Sequence, residues 1–229
     1  MKTASERCGF FWDLIMDKIG ICGAGLIGAS WAIGFANAGF ECFVYDKSED
    51  SSTKFKSLAN KLIQDLRIIN PEIDEKKINS NIKLNRTLEE TCNDSILVQE
   101  SVLEDLELKK SVFAQLDKLT PENTIIASSS SYLLISEIAE LVKHKHRCIN
   151  GHPALPPHIV PFVEVLGNEK TSQKIIREAV SIYKKAKYAA ITVNKEAEGF
   201  ILNRLQGALL NEAVRLHEGG FASMEDIDI

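Results

Sequence analysis

The amino-acid sequence predicts an α/β chain, a doubly wound and largely parallel sheet followed by the start of a helical second domain. Three observations predict it. Apolar strand-like runs alternate with helix-like stretches from Lys18 to about Val193, the pattern of a parallel sheet with helices on its faces. The first strand-like run ends in a glycine cluster that opens a helix. After Val193 the alternation stops, and one long helix begins at Gly199. The expected units are 1–17 as an N-terminal extension, 18–193 as the sheet domain and 194–229 as part of a helical domain.

Taken in order, Lys18–Cys22 is a short apolar run leading into glycines and reads as a buried strand. Leu26–Ala38 has helical character and stops at Gly39, the residue type that closes helices. Glu41–Tyr45 is a second strand, and Ser52–Ile69 a long helix closed by Asn70-Pro71. Asp94–Gln99 reads as a strand, Glu104–Leu119 as a helix ended by Thr120-Pro121, and Asn123–Ser128 as a strand entering a serine tract. Arg147–Gly151 and Pro161–Leu166 are further strands. Pro153-Ala154-Leu155-Pro156-Pro157 between them is too proline-rich for regular structure. Ser172–Ala186 is helical and Ala189–Val193 is the last strand. The helix Gly199–His217 is apolar on most sides and is expected to be buried, although only about a dozen residues follow to cover it.

Composition narrows the function classes. Apolar residues make up 45% of 229 and charged residues 26%, the balance of a globular chain with a sizeable core. The net charge of -5 offers no basic face for nucleic acid. The one basic cluster, Lys143–Arg147, reads as a solvated helix end before a strand. The five cysteines, Cys8, Cys22, Cys42, Cys92 and Cys148, form no C-x-x-C pair. They read as reduced thiols of a cytoplasmic protein, not as a disulfide framework or a metal site, with Cys22 and Cys42 in the core. No apolar run approaches the ~20 residues that span a bilayer, so no membrane partner is expected. Gly9-Phe10-Phe11-Trp12 is interrupted by Asp13 and Asp17 and lacks a signal-peptide pattern.

Gly23-Ala24-Gly25-Leu26-Ile27-Gly28 matches G-x-G-x-x-G in its required context, after a strand and opening a helix. Gly23 permits the tight turn, Gly25 lets a pyrophosphate approach the backbone, and Gly28 allows close helix packing. The N–H groups around Leu26 and Ile27, at the positive end of the helix dipole, suit phosphate. Asp46 lies 18 residues after Gly28 at the end of the second strand. Its carboxylate would accept from a ribose 2′-hydroxyl and repel a 2′-phosphate, which favours NAD over NADP, with neighbouring Lys47 acting the other way. The unit is a Rossmann-type dinucleotide site, and NAD is the expected cofactor.

Four polar residues form the expected chemical constellation. Ser131 and His152 each follow a strand, where open α/β sheets bind ligands. Glu164 sits in the apolar strand Phe162–Leu166, and Asn203 in an otherwise apolar helix. Both need partners there. Taken alone, each has a structural reading: a turn cap, a satisfied histidine, a surface carboxylate, a solvated amide.

These motifs together resemble the 3-hydroxyacyl-CoA dehydrogenase superfamily, from about Lys18 to Ile229. The resemblance rests on Gly23–Gly28, Val98-Gln99-Glu100 with Glu104 and Lys109, Ser128–Ser131, Gly151-His152-Pro153 with Pro156-Pro157, Val163-Glu164, and Gly199-Phe200-Ile201-Leu202-Asn203-Arg204. Gln99, Glu100, the all-serine tract and Asn203–Gln206 are similar to the λ-crystallin and L-gulonate 3-dehydrogenase branch. The resemblance implies His152 as the general base that removes the alcohol proton and Glu164 as its orienting carboxylate. It implies Ser131 and Asn203 as holders of the reacting oxygen, and Glu104 and Lys109 near the nicotinamide end of the cofactor pocket. The chemistry suits these types, because hydride goes to the nicotinamide while the hydroxyl proton goes to a base. Histidine's unperturbed pKa of about 6.5 fits that task.

The expected function is NAD-dependent oxidation of the 3-hydroxyl of a small hydroxy acid, with L-gulonate the first substrate. The alternatives are a 3-hydroxyacyl-CoA dehydrogenase and a non-catalytic, crystallin-like dinucleotide binder. The resemblance also implies a homodimer through the second domain where that domain is complete. Two positions depart from the family pattern. Leu155 stands where an asparagine is usual, three residues after the histidine, and Glu198 stands where proline or aspartate precedes Gly-Phe.

Overall fold

The computed structural model describes residues 17–48 and 50–229. Residues 1–16, with Cys8 and the Gly9–Trp12 run, lie outside them. The order is β1 (Lys18–Cys22), α1 (Leu26–Asn37), β2 (Glu41–Tyr45), α2 (Ser51–Ile69), α3 (Glu75–Asn81), β3 (Ile82–Leu84), α4 (Leu88–Cys92), β4 (Leu97–Glu100) and α5 (Leu106–Leu119). There follow β5 (Ile125–Ser128), α6 (Ile135–Ile138), β6 (Cys148–Pro153), β7 (Phe162–Gly167), α7 (Gln173–Lys185), β8 (Ala189–Thr192), α8 (Leu202–Glu218) and α9 (Met224–Asp228).

The strands form one sheet in the order β3-β2-β1-β4-β5-β6-β7-β8. Strands β1 to β6 pair in parallel; β7 pairs antiparallel with β6 and parallel with β8. The doubly wound, largely parallel Rossmann-type sheet is thus observed. One face is covered by α1, α2 and α7, through Trp31, Phe35, Ile63, Ile176 and Tyr183. The other is covered by α5 and α6, through Phe113, Leu116, Ile135 and Ile138. Chain order reverses between β1 and β4, and ligands bind at such a point, beyond the carboxyl ends of the strands. Gly23, Asp46, Ser101, Ser129 and His152 all stand at that edge.

Several local readings change. The segment 71–93, unassigned by periodicity, holds α3, β3 and α4, each too short to show a period. Helix α5 begins at Leu106 because Asp105 caps it, accepting from the Leu108 N–H at 2.8 Å, so Glu104 lies in the preceding loop. Pro153 ends β6 instead of breaking it, at a terminal position where a missing N–H is tolerated. Arg147 is not solvated. It is 1% exposed, donates to the Asp117 Oδ1 and carbonyl at 2.8 Å each, and also meets the Pro121 carbonyl. The four described cysteines are all buried.

The largest correction concerns the last long helix. It begins at Leu202, because Gly199 and Phe200 have φ of +72° and +48°. None of its residues is buried, and Leu205, Leu209 and Leu210 are 65%, 73% and 62% exposed. The turn before α8 and the helix's first residues are anchored in the sheet domain, by Phe200 and by the Leu202 and Asn203 hydrogen bonds, and α9 packs beside the helix. No helix of the described residues is long and apolar enough to cross a membrane.

Candidate active site

The glycine turn is built by contacts that exclude side chains. Gly23 has φ +106°, and a Cβ there would lie 2.6 Å from the Ser101 carbonyl oxygen. A Cβ on Gly28 would lie 1.9 Å from the Gly23 oxygen, so close packing of the turn against α1 requires glycine. At Gly25 nothing lies within 4 Å of the Cβ position, which leaves the approach open. The first turn of α1 has no side-chain cap and no acidic residue, so its amides remain available to an anion.

Asp46 extends from the end of β2 to this turn. Its Oδ2 accepts from the Ala24 N–H and its Oδ1 from the Ser48 N–H, both at 2.9 Å. A cavity of about 460 Å³ beside it is lined by Ala24, Tyr45, Lys47, Ser51 and Arg86. A second, of about 470 Å³, runs along Gly23, Gly25 and Asp46 to Ser101 and Val102. A third, of about 230 Å³, continues from Ser101 and Val102 to Glu104, Lys109, Ser129, Ser131, His152 and Leu155. Shared lining residues join the three into one track. An open glycine, uncapped amides and a carboxylate at the ribose position fit NAD. Asp46→Ala should raise the Kd for NAD by at least about tenfold, the worth of a charged hydrogen bond. An unchanged Kd in a fluorescence titration would remove Asp46 from the site.

At the far end, His152 and Glu164 face each other as register partners on β6 and β7. The antiparallel pairing of these two strands therefore sets their contact. His152 Nδ1 lies 2.7 Å from Glu164 Oε2, and both side chains are buried. With Nδ1–H donated to the carboxylate, Nε2 is the nitrogen left to accept a proton in the cavity His152 lines. Glu164 Oε1 accepts from the N–H groups of Ile201 and Leu202 at 3.0 and 2.9 Å. The Phe200 ring stands 5.3 Å from the imidazole, centroid to centroid, and shields the pair.

The serine tract is shaped by a second carboxylate system. Buried Lys109 lies 2.7 Å from Glu100 Oε1 and 3.2 Å from Glu104 Oε2. Glu100 also accepts from the Val102 N–H and the Ser128 hydroxyl, each at 2.7 Å. Burial raises the Glu100 pKa, and Lys109 with these donors pulls it partly back. Glu104 accepts from the Ser130 hydroxyl and from the Ser131 N–H at 3.2 Å, which fixes the turn that presents Ser131. Asn203 Nδ2 donates to the Ser131 carbonyl at 2.9 Å. Ser131, His152, Glu104 and Lys109 thus line one cavity. Asn203 braces its rim through the Ser131 backbone and does not line it.

Sequence reasoning missed the string beneath this cavity: Tyr183, Gln99, Trp31, Ser129 and Ser101. Gln99 and the serine tract stand out as motifs. Their connection to Trp31 on α1 and Tyr183 on α7 has no local signal.

Comparison with known proteins agrees with this geometry. Residues 18–197 match the model of the 3-hydroxyacyl-CoA dehydrogenase NAD-binding domain, and residues 199–229 that of the same family's C-terminal domain. The chain belongs to the 3-hydroxyacyl-CoA dehydrogenase family. Within it, the chain is 37% identical over 212 residues to the lambda-crystallin homolog of Rattus norvegicus, covering 91% of this chain. It is 34% identical to the L-carnitine dehydrogenase of Streptomyces coelicolor, covering 93% of this chain. It spans 66% of the length of each of these relatives. Among solved structures, the (S)-3-hydroxybutyryl-CoA dehydrogenase of Ralstonia eutropha superposes with a TM-score of 0.83 at 26% identity, covering 93% of this chain and 75% of the other. NAD is the cofactor of the family domain that the sheet represents.

Proposed function

We propose that the protein oxidises the 3-hydroxyl of a small hydroxy acid with NAD, and that L-gulonate is the first substrate to test. The observation that carries this reading is the His152–Glu164 pair at the end of the dinucleotide track, beside Ser131. His152 Nε2 takes the hydroxyl proton, and Glu164 holds the ring and stabilises the imidazolium. The Ser131 hydroxyl binds the oxygen as hydroxyl becomes carbonyl, a fixed dipole that needs little reorganisation. Asn203 holds Ser131 in place. NAD, when bound, supplies the hydride acceptor. Leu155, 63% exposed on the cavity wall, gives the entrance an apolar side. The proposed setting is cytoplasmic, with 194–229 as part of a helical domain through which a homodimer forms.

The likeness to L-carnitine dehydrogenase supports a free hydroxy acid as substrate; the likeness to (S)-3-hydroxybutyryl-CoA dehydrogenase supports the acyl-CoA alternative. The protein mixed with NAD and L-gulonate, L-carnitine or 3-hydroxybutyryl-CoA in parallel should produce NADH with gulonate. NADH with the CoA ester alone would move the assignment to acyl-CoA chemistry. Binding of NAD with no turnover of any of the three would favour a non-catalytic dinucleotide binder.

A further inference from the structure

A buried string of hydrogen bonds runs from α7 to the active-site cavity, and its direction can be worked out from donor and acceptor types. The Gly151 carbonyl can only accept. The Gln99 amide must therefore turn its NH₂ toward it, at 3.3 Å, and the same nitrogen donates to Ser129 Oγ at 2.8 Å. The amide oxygen then accepts from the Tyr183 hydroxyl at 2.5 Å. Trp31 Nε1, a donor only, also reaches Ser129 Oγ, at 3.1 Å. Both acceptor positions of Ser129 are thus filled. Its single proton is left for its remaining partner, Ser101 Oγ, 2.9 Å away. Ser101 accepts that proton and keeps its own. Among the described residues Ser129 is the only hydrogen-bond partner of the Ser101 hydroxyl.

The Ser101 proton therefore has no acceptor among the described residues and is free for the cleft. Ser101 lines both the cavity along the glycine turn and the cavity at His152. Its backbone carbonyl abuts Gly23. It stands where the reactive end of a dinucleotide passes from one cavity to the other.

We infer that Ser101 is a cofactor-positioning residue whose hydroxyl donates to the carboxamide oxygen of the nicotinamide, with the Tyr183–Gln99–Ser129 string and Trp31 setting that donor direction. The inference rests on the NAD reading above and adds a contact that the glycine fingerprint does not contain. A carboxamide oxygen is an acceptor-only group and matches a hydroxyl whose proton is not taken by a neighbour. The string also makes the site selective. A ligand group that brings an acceptor to this point finds an unclaimed proton, because the Ser129 proton occupies one lone pair of Ser101 and leaves the Ser101 O–H to the cleft.

The test compares ligands that share the adenosine diphosphate half. Kd values of wild type and Ser101→Ala are measured by titration calorimetry for NADH and for ADP-ribose, which lacks the nicotinamide. Ser101→Ala should weaken NADH by about three- to tenfold, the worth of one net hydrogen bond, and leave ADP-ribose unchanged. Ser101→Thr, which keeps the hydroxyl, should recover most of the NADH affinity. Equal Kd values for NADH in wild type and Ser101→Ala would overturn the assignment, as would equal losses for both ligands or failure of threonine to restore binding. Wild-type protein that binds neither ligand would overturn the NAD reading itself, and this inference with it.

Discussion

His152→Ala should abolish turnover, by about 10²–10⁴-fold as expected for removal of a general base, while the Kd for NAD stays within about twofold. The two effects separate because of where the residue sits. Asp46, the glycine turn and the first turn of α1 hold the dinucleotide at one end of the track, and His152 stands beyond its far end. The imidazole touches Glu164 and Phe200, not the glycine turn. Its loss leaves the Glu164 carboxylate with the Ile201 and Leu202 amides, so the joint to α8 persists. NADH formation measured against a fluorescence titration with NAD gives both numbers from one preparation. Retained turnover would show that another group takes the proton and would sink the proposed mechanism.

Lys109→Met should destabilise the fold by about 3–5 kcal/mol, the cost of stranding a buried charge. Lys109 and Glu100 are 1% and 0% exposed, so neither is screened by water. The loss depends on pH in a definite sense. Burial already raises the Glu100 pKa, and Lys109 is the first of the groups that offset the burial. Without it, the folded-state pKa rises further above the unfolded value. A carboxyl shifted in this direction favours folding below its unfolded pKa, and the advantage is lost as pH rises to the folded pKa. The deficit of Lys109→Met relative to wild type should therefore be smaller near pH 4 than near pH 8. Lys109→Met/Glu100→Gln should regain much of the loss at pH 8. Urea denaturation at the two pH values measures both effects. A deficit independent of pH would mean that lost packing, not a stranded charge, is responsible.

The parts of the fold legible in the sequence were those with long periods or obligatory residue types. Alternating strands and helices marked the sheet, and three glycines with Asp46 marked the dinucleotide turn, because backbone approach admits no Cβ there. His152 and Glu164 were legible as candidates, since a histidine after a strand and a carboxylate inside an apolar one each call for a partner. Their pairing came from the family resemblance and not from the residue pattern, because antiparallel register depends on the loop at 154–161. The exposure of α8 was missed because apolarity states what a helix would bury and not what is present to cover it. Ser101 gave no signal at all. Its role arises from the direction of hydrogen bonds that converge from β4, α1, α7 and the serine tract, joining residues up to 98 apart in the Trp31–Ser129 contact.

The attachment of α8 has a consequence for modularity. Glu164 grips the incoming chain solely by the main-chain amides of Ile201 and Leu202, a handhold that ignores which side chains follow. Whatever is spliced on after that point can be exchanged for another sequence without disturbing the orientation of His152, provided the kink at Gly199 and Phe200 is kept. The reverse does not hold. Because one carboxylate both aims the imidazole and clasps the graft point, changing Glu164 would loosen the joint along with the base. Evolutionary drift is therefore cheap downstream of Asn203, which braces Ser131, and costly at Glu164.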